Sequence, residues 1–188
     1  MARKLDLDEF YKEYNYLMGY QKEETMYVVY DKTQVDYGCE CDCDLEWCKE
    51  NNIPVFKFNR GGGCIVNTAG NITLIDMRKF DGHTWNTLSM LKSFVEFLRS
   101  KGIDATIQRN DIMIDGFKVG SGVCRNIHPR YIWQLSGIQI SINQDLNVIE
   151  HACKKTMRKT PKGLSDFGIT TEDVEQWIDS YFNKENQE

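Results

Sequence analysis

Arg60-Gly61-Gly62-Gly63-Cys64-Ile65-Val66-Asn67-Thr68-Ala69-Gly70-Asn71 lies between two apolar runs of strand character, residues 53–58 and 72–77. Three consecutive glycines cost conformational entropy on folding, so stability alone is a poor reason for them. They let the backbone turn sharply and let a ligand approach its N–H groups. A Walker-type phosphate loop requires Gly-Lys-Ser/Thr after the glycines, whereas Gly63 is followed by Cys64-Ile65-Val66. A dinucleotide fingerprint requires a helix there, and a strand-like run follows instead. An ordinary β-turn accounts for one glycine and leaves two unexplained. Arg60 adds a permanent charge with a planar donor fork. The stretch therefore reads as a cradle for an anionic or carbonyl-bearing ligand.

Outward from the loop, the pattern predicts an α+β fold with a mixed, largely antiparallel sheet packed with helices. Residues 6–20 read as an amphipathic helix and 26–30 as a short strand. Asp44 is a candidate cap for a helix ending at Asn51-Asn52. Trp85, Leu88, Leu91, Val95 and Leu98 recur at helical spacing and predict a helix over 84–100, with Gly102 as its stop. A strand follows over 103–108. Asp115-Gly116 is a two-residue hairpin signal between 110–114 and 117–119. Further strand character runs over 131–143, and helices are expected over 146–155 and 170–182, the last capped by Thr170. With Asp115-Gly116 as the loop, Ile114 faces Phe117, Met113 faces Lys118 and Asp111 faces Gly120. Asp111 and Lys118 then share one face, and Lys118, next to the permissive backbone of Gly120 and Gly122, can aim its ammonium at a ligand oxygen. A solvated lysine near a turn is the plain alternative.

Taken in order, strand–Arg60-Gly61-Gly62-Gly63–strand, a long helix, and Asn110-Asp111-Ile112-Met113-Ile114-Asp115-Gly116-Phe117-Lys118-Val119-Gly120-Ser121-Gly122 resemble the lipoate–protein ligase family, part of the wider biotin/lipoate protein ligase group. Lys49-Glu50-Asn51-Asn52-Ile53-Pro54-Val55 resembles that family's helix-to-strand lead into the glycine loop. The run from Ser136 to Leu146 resembles its His-Gly-x-Leu-Leu strand, and Lys159-Thr160-Pro161-Lys162-Gly163-Leu164 its later Lys-Gly turn. The resemblance covers residues 26–182.

It implies a biotin/lipoate ligase-type catalytic domain spanning 1–188, without the family's carboxy-terminal accessory domain. It implies activation of lipoate, octanoate or a related medium-chain acid by ATP and Mg²⁺, then transfer from the acyl-adenylate to a lysine of an acceptor protein. The implied acceptor is a lipoyl domain or a glycine-cleavage H-type protein, with a separate accessory-domain protein as a further partner. Lys118 matches the family's essential lysine. Arg60, Gly61, Gly62 and Gly63 would line the acyl and phosphate region. Asn110 and Asp111 match the segment near nucleotide and metal, with Asp111 the implied metal ligand. Asn67, Gly120, Ser121 and Ser136 complete the implied binding set. Asn67 and Ser136 stand where the family carries histidines, and Lys118-Val119-Gly120-Ser121-Gly122 replaces Lys-Ile-Ser-Gly-Ser. Those departures motivate a second reading, a catalytically degenerate acyl- or nucleotide-binding protein. A third is an octanoyl/lipoyl transferase that needs no ATP. The related transferases carry a thioester-forming cysteine, and this chain has Pro161-Lys162-Gly163 at one such place and no cysteine over 103–108 at the other.

The 188 residues suit one domain. With 23 basic against 28 acidic residues, net charge is −5, which argues against nucleic acid as a partner. No apolar run is long enough to span a bilayer, and the amino terminus lacks a signal-peptide core, so no membrane partner and a cytoplasmic location are expected. Seven cysteines, an odd number, point to reduced thiols rather than a disulfide framework. Cys39, Cys41 and Cys43 alternate, which leaves open soft-metal binding or small buried apolar residues.

Overall fold

The computed structural model describes residues 3–20, 24–38, 42–57, 63–79, 87–127, 133–154 and 159–185. In chain order the elements are β1 (Arg3–Asp6), α1 (Leu7–Tyr20), β2 (Thr25–Tyr30), β3 (Gln34–Tyr37), α2 (Leu45–Glu50), β4 (Val55–Lys57), β5 (Cys64–Asn67) and β6 (Asn71–Lys79). There follow α3 (Thr87–Ser100), β7 (Ala105–Gln108), β8 (Asp111–Ile114), β9 (Phe117–Ile127), β10 (Trp133–Ser141), α4 (Leu146–Ala152), a 3-10 turn (Leu164–Phe167) and α5 (Thr171–Glu185).

Seven strands form the main sheet in the order β1-β2-β6-β10-β9-β8-β7, and β4-β3-β5 form a smaller one. Only β1 and β2 pair in parallel within the main sheet; the other pairs are antiparallel. The sheet is therefore mixed and largely antiparallel, as the sequence predicts. Alternation of side chains across each strand gives it two different faces. Val28, Leu74 and Ile138 project into a core shared with Leu91, Phe94 and Leu98 of α3 and Trp177 of α5. Phe94 and Trp177 meet edge to face at 4.7 Å. Tyr27, Val29 and Ile75 project the other way, under Leu7, Phe10 and Tyr11 of α1. A third cluster of Val35, Cys43, Cys48, Val148 and Ala152 lies between the small sheet, α2 and α4.

Local signals explain the element ends. Asp6 accepts from the Glu9 N–H at 2.8 Å while Glu9 accepts from the Asp6 N–H at 3.0 Å, a reciprocal capping box at the start of α1. Thr170 and Asp173 exchange the same kind of bonds before α5. Asp44 accepts from the Trp47 N–H at 3.0 Å and caps α2. Asp44→Ala is expected to cost about 1 kcal/mol, read as a lowered denaturation midpoint with an unchanged slope.

The structure corrects the strand reading around the glycines. They lead from β4 into β5, inside the quoted stretch, and Gly70 at φ +95° then turns the chain into β6. Strands β1 and β3 are additions to the elements that the sequence pattern predicts. The helix expected over 84–100 is described from Thr87 onward; residues 84–86 lie outside the described residues. Among the described residues, no helix is long and apolar enough to cross a membrane.

Candidate functional site

Asp115 and Gly116 both have positive φ, +49° and +81°, the backbone that a two-residue type I′ hairpin requires. Ile114 pairs with Phe117 and Met113 with Lys118, as expected. A register shift between Ile112 and Met113 then pairs Ile112 with Gly120 and Asp111 with Ser121. The expected pairing of Asp111 with Gly120 is therefore off by one residue: the bulge turns Val119 into the helix-covered core. Gly120 is needed at this point, because a Cβ there would lie 2.7 Å from the Gln139 carbonyl oxygen.

Ile112 and Ile114 also face the helices, so Asp111, Met113 and Lys118 share the opposite face. The Lys118 ammonium lies 2.9 Å from Asp111 Oδ1, and the Lys159 ammonium 2.8 Å from Asp111 Oδ2. Burial pushes the Asp111 carboxyl up, but the hydrogen bonds from Lys159 and Lys118 outweigh it and hold the group below the usual carboxylate range. Lys118 is anchored by its backbone as well. Its N–H donates to the Thr160 carbonyl at 2.9 Å, and its carbonyl accepts from the Lys162 N–H at 2.9 Å.

In register with Asp111, Ser121, Gln139 and Thr73 form one row across β8, β9, β10 and β6. At strand spacing the row runs roughly 10 Å from Asp111 to Gln139. There it meets the small sheet. Gln139 Nε2 donates to Asn67 Oδ1 at 2.8 Å and to Asp31 Oδ2 at 3.0 Å. Asn67 Nδ2 donates to Asp36 at 2.5 Å. Asp36 also accepts from Gln34 at 2.7 Å and from the Tyr11 hydroxyl. Asn67 thus has both ends of its amide engaged and fastens β5 to the main sheet. Burial raises the Asp36 carboxyl above its ordinary range despite these donors.

The other expected residues fall in several places. Gly63 accepts from the Gly38 N–H at 3.3 Å, while Arg60, Gly61 and Gly62 lie outside the described residues. Asn110 is in the exposed turn between β7 and β8, its carbonyl accepting from the Gly122 N–H at 2.6 Å. Ser136 is buried on the helix-covered face, donating to Thr87 Oγ1 at 3.0 Å, and is not brought to the face of Lys118. Cys39 and Cys41 lie outside the described residues, and Cys43 is buried beneath the small sheet. Cys64, directly after the glycines, has its Sγ 3.5 Å from that of Cys153. That hydrogen bond, together with burial and the neighbouring Cys43 thiol, pushes the Cys64 thiol strongly upward, so a reactive thiolate is disfavoured.

Lys159 is the residue that sequence reasoning missed. It enters the sequence reading only as the first residue of the Lys-Gly turn. Spacing does not reveal that Lys162, three residues on, instead places its ammonium over the rings of Phe117 and Phe167, at 4.6 and 5.0 Å. Both Asp111 oxygens already face an ammonium, so magnesium ligation there would have to displace two cations. Among the described residues, no group of three His, Cys, Asp or Glu side chains is placed to hold a metal.

The chain is similar in sequence and in fold to known proteins. The curated lipoate–protein ligase LplJ of Bacillus subtilis is 25% identical over 109 residues, 57% of this chain and 31% of its own length. The chain spans about a third of the length of the curated relatives it matches. A bipartite lipoate protein ligase from Thermoplasma acidophilum, described with its E2 lipoyl domain, superposes with a TM-score of 0.76 at 18% identity, over 97% of this chain and 82% of its own. A lipoate–protein ligase A structure bound with ATP gives a TM-score of 0.70 at 17% identity, over 95% and 83%. The family model for the lipoyl protein ligase A/B catalytic domain matches residues 6–179, and the chain belongs to that family.

Proposed function

We propose that this chain is the catalytic part of a lipoate–protein ligase-type enzyme, joining lipoate or a related medium-chain acid to an acceptor lysine through an acyl-adenylate. The observation that carries the reading is Lys118, which matches the family's essential lysine and is fixed by backbone and side chain on the sheet face opposite α3 and α5. ATP as co-substrate is supported by the ATP-bound ligase of the same fold. A lipoyl domain as acceptor, and a second polypeptide as helper, are supported by the bipartite archaeal ligase and its E2 domain. A cytoplasmic setting is proposed as part of the same reading.

In this reading Lys118 donates hydrogen bonds to the acyl carbonyl and phosphate oxygens. The neutral acceptor amine attacks the acyl carbon. A C–N bond forms, the C–O bond to phosphate breaks, AMP leaves with the electron pair, and the ammonium proton passes to solvent. Negative charge builds on oxygen in the transition state, and a fixed ammonium stabilises it there. Arg60 with Gly61, Gly62 and Gly63 would present further donors to the same ligand. The resemblance also implies Mg²⁺, an ion that in nucleotide sites is held largely by the substrate's own phosphates with one or two carboxylates. The high-lying Cys64 thiol weighs against a thioester route.

The test is incubation of the chain with ATP, Mg²⁺, a panel of acids and a lipoyl domain, followed by intact mass of both proteins. An acyl-AMP on the chain or an acyl increment on the acceptor is expected. Tight ligand binding without either product would favour the degenerate binding protein. We further expect faster transfer from supplied lipoyl-AMP than from lipoate plus ATP, because adenylation must align two anions while excluding water. Equal rates under the same conditions would show that the chain adenylates unaided.

A further inference from the structure

We propose that Lys159 is a second ligand-contacting cation of this site, which pairs with Lys118 to clamp the phosphate of a nucleotide, with Asp111 as the counter-ion that holds both ammoniums ready. The inference rests on the ligase reading above and adds to it a residue outside the family's single essential lysine.

Three observations carry it. The two ammoniums share one carboxylate, at 2.9 Å and 2.8 Å from its two oxygens, so two positive charges face one negative charge on one small area. Neither lysine is fully solvated: their side chains are 37% and 26% exposed, and Asp111 is 23% exposed. Lys159 is also placed by the backbone. Its segment runs alongside the start of β9, with Thr160 and Lys162 both bonded to the main chain of Lys118 itself. Gly163 lets that segment close against the end of β10, since a Cβ there would lie 2.5 Å from the Ile142 carbonyl oxygen. A built turn thus delivers Lys159 to Asp111 while Lys162 turns to the Phe117 and Phe167 rings.

The chemistry follows from the charges. A phosphate oxygen can replace one Asp111 oxygen as acceptor for each ammonium, without either lysine changing its anchor. Charge-assisted hydrogen bonds of this kind are the strong ones. Magnesium at Asp111 would bring a third cation against two ammoniums, which Coulomb repulsion at these distances opposes. The observations therefore favour Asp111 as a tether over Asp111 as a metal ligand.

Two probes separate this role from a structural one: lipoyl-AMP, and a phosphate-free analogue in which lipoate is esterified to the 5′-hydroxyl of adenosine. Binding of each to the parent, Lys159→Gln and Lys159→Arg is measured by calorimetry. Lys159→Gln is expected to weaken lipoyl-AMP by about 10- to 100-fold, the range for a lost hydrogen bond to a charged group. The phosphate-free analogue is expected to be unchanged within twofold, and Lys159→Arg to retain most of the affinity. Equal weakening of both probes, or none, would overturn the assignment of Lys159 while leaving the ligase reading intact. A parent chain that binds neither probe would overturn the ligase reading and this inference with it.

Discussion

Lys118→Ala is expected to lower acyl transfer from lipoyl-AMP by about 10²- to 10³-fold, the loss that follows removal of one preorganised oxyanion donor. The folded state should hardly notice. The Lys118 side chain is 37% exposed, and its ion pair with Asp111 is shared with Lys159. Partly exposed pairs of this kind contribute about 0–1 kcal/mol. Its backbone bonds to Thr160 and Lys162 do not depend on the side chain. A single-turnover rate with supplied lipoyl-AMP reads the effect without the adenylation step. Transfer within threefold of the parent would mean that another group stabilises the oxyanion, and the site would have to be sought elsewhere. Lys118→Arg is a sharper comparison. Arginine keeps the charge but offers a planar fork in place of a compact ammonium, so only partial recovery is expected.

The hairpin that carries Lys118 was legible because its chemistry is local. Asp115-Gly116 satisfies a backbone with two positive φ angles, and few residue pairs do so at low cost. The bulge beyond it was not legible, since it depends on Val119 finding space in a core built by α3 and α5. Strand β3 was hidden for a related reason. Gln34-Val35-Asp36-Tyr37 alternates polar and apolar over only four residues, too short a run to decide by periodicity, and its polar side chains, Gln34 and Asp36, are buried by partners from elsewhere in the chain rather than exposed. Asn67 could be singled out by type and place, but its two partners lie 31 and 72 positions away, at Asp36 and Gln139. Nothing near it in the chain says that its amide joins two sheets. Lys159 and Lys162 look equivalent in sequence, and only the docking of their segment against β9 separates an ion-paired lysine from one stacked on aromatic rings. Periodicity and turn chemistry therefore reached the frame of the site, while the partners of each polar side chain came from contacts between distant strands.

Asp31→Asn is expected to make the protein more stable than the parent above pH 7, and to flatten its stability between about pH 4 and pH 7. Asp31 follows β2 and is buried where β2, β6 and β10 meet the small sheet. Its Oδ2 accepts from Thr73 at 3.0 Å and from Gln139 at 3.0 Å, while Oδ1 has no partner among the described residues. Burial pushes this carboxyl up to about 7; the two donors pull the other way without cancelling the effect, and the nearby Asp36 charge adds to it. The ordinary value is 3.8, so the folded state binds the proton more tightly than the unfolded chain does. Between those two values the unfolded chain ionises while the folded protein stays protonated, and stability falls as pH rises. Every tenfold difference in proton affinity between the two states corresponds to about 1.4 kcal/mol, so the whole window is worth on the order of 4 kcal/mol. Below pH 4 both states are protonated and the effect is fully retained; above pH 7 both are ionised and the loss is complete. Asparagine resembles the protonated carboxyl in shape, keeps an acceptor for Thr73 and Gln139, and does not ionise, so its stability should not decline through this window on account of residue 31. Denaturant midpoints for both proteins at pH 4.5, 6 and 8 would display the divergence. A parallel pH dependence in the two proteins would mean that Asp31 is not the group that titrates, and Asp36, whose burial also raises its carboxyl, would be the next residue to replace.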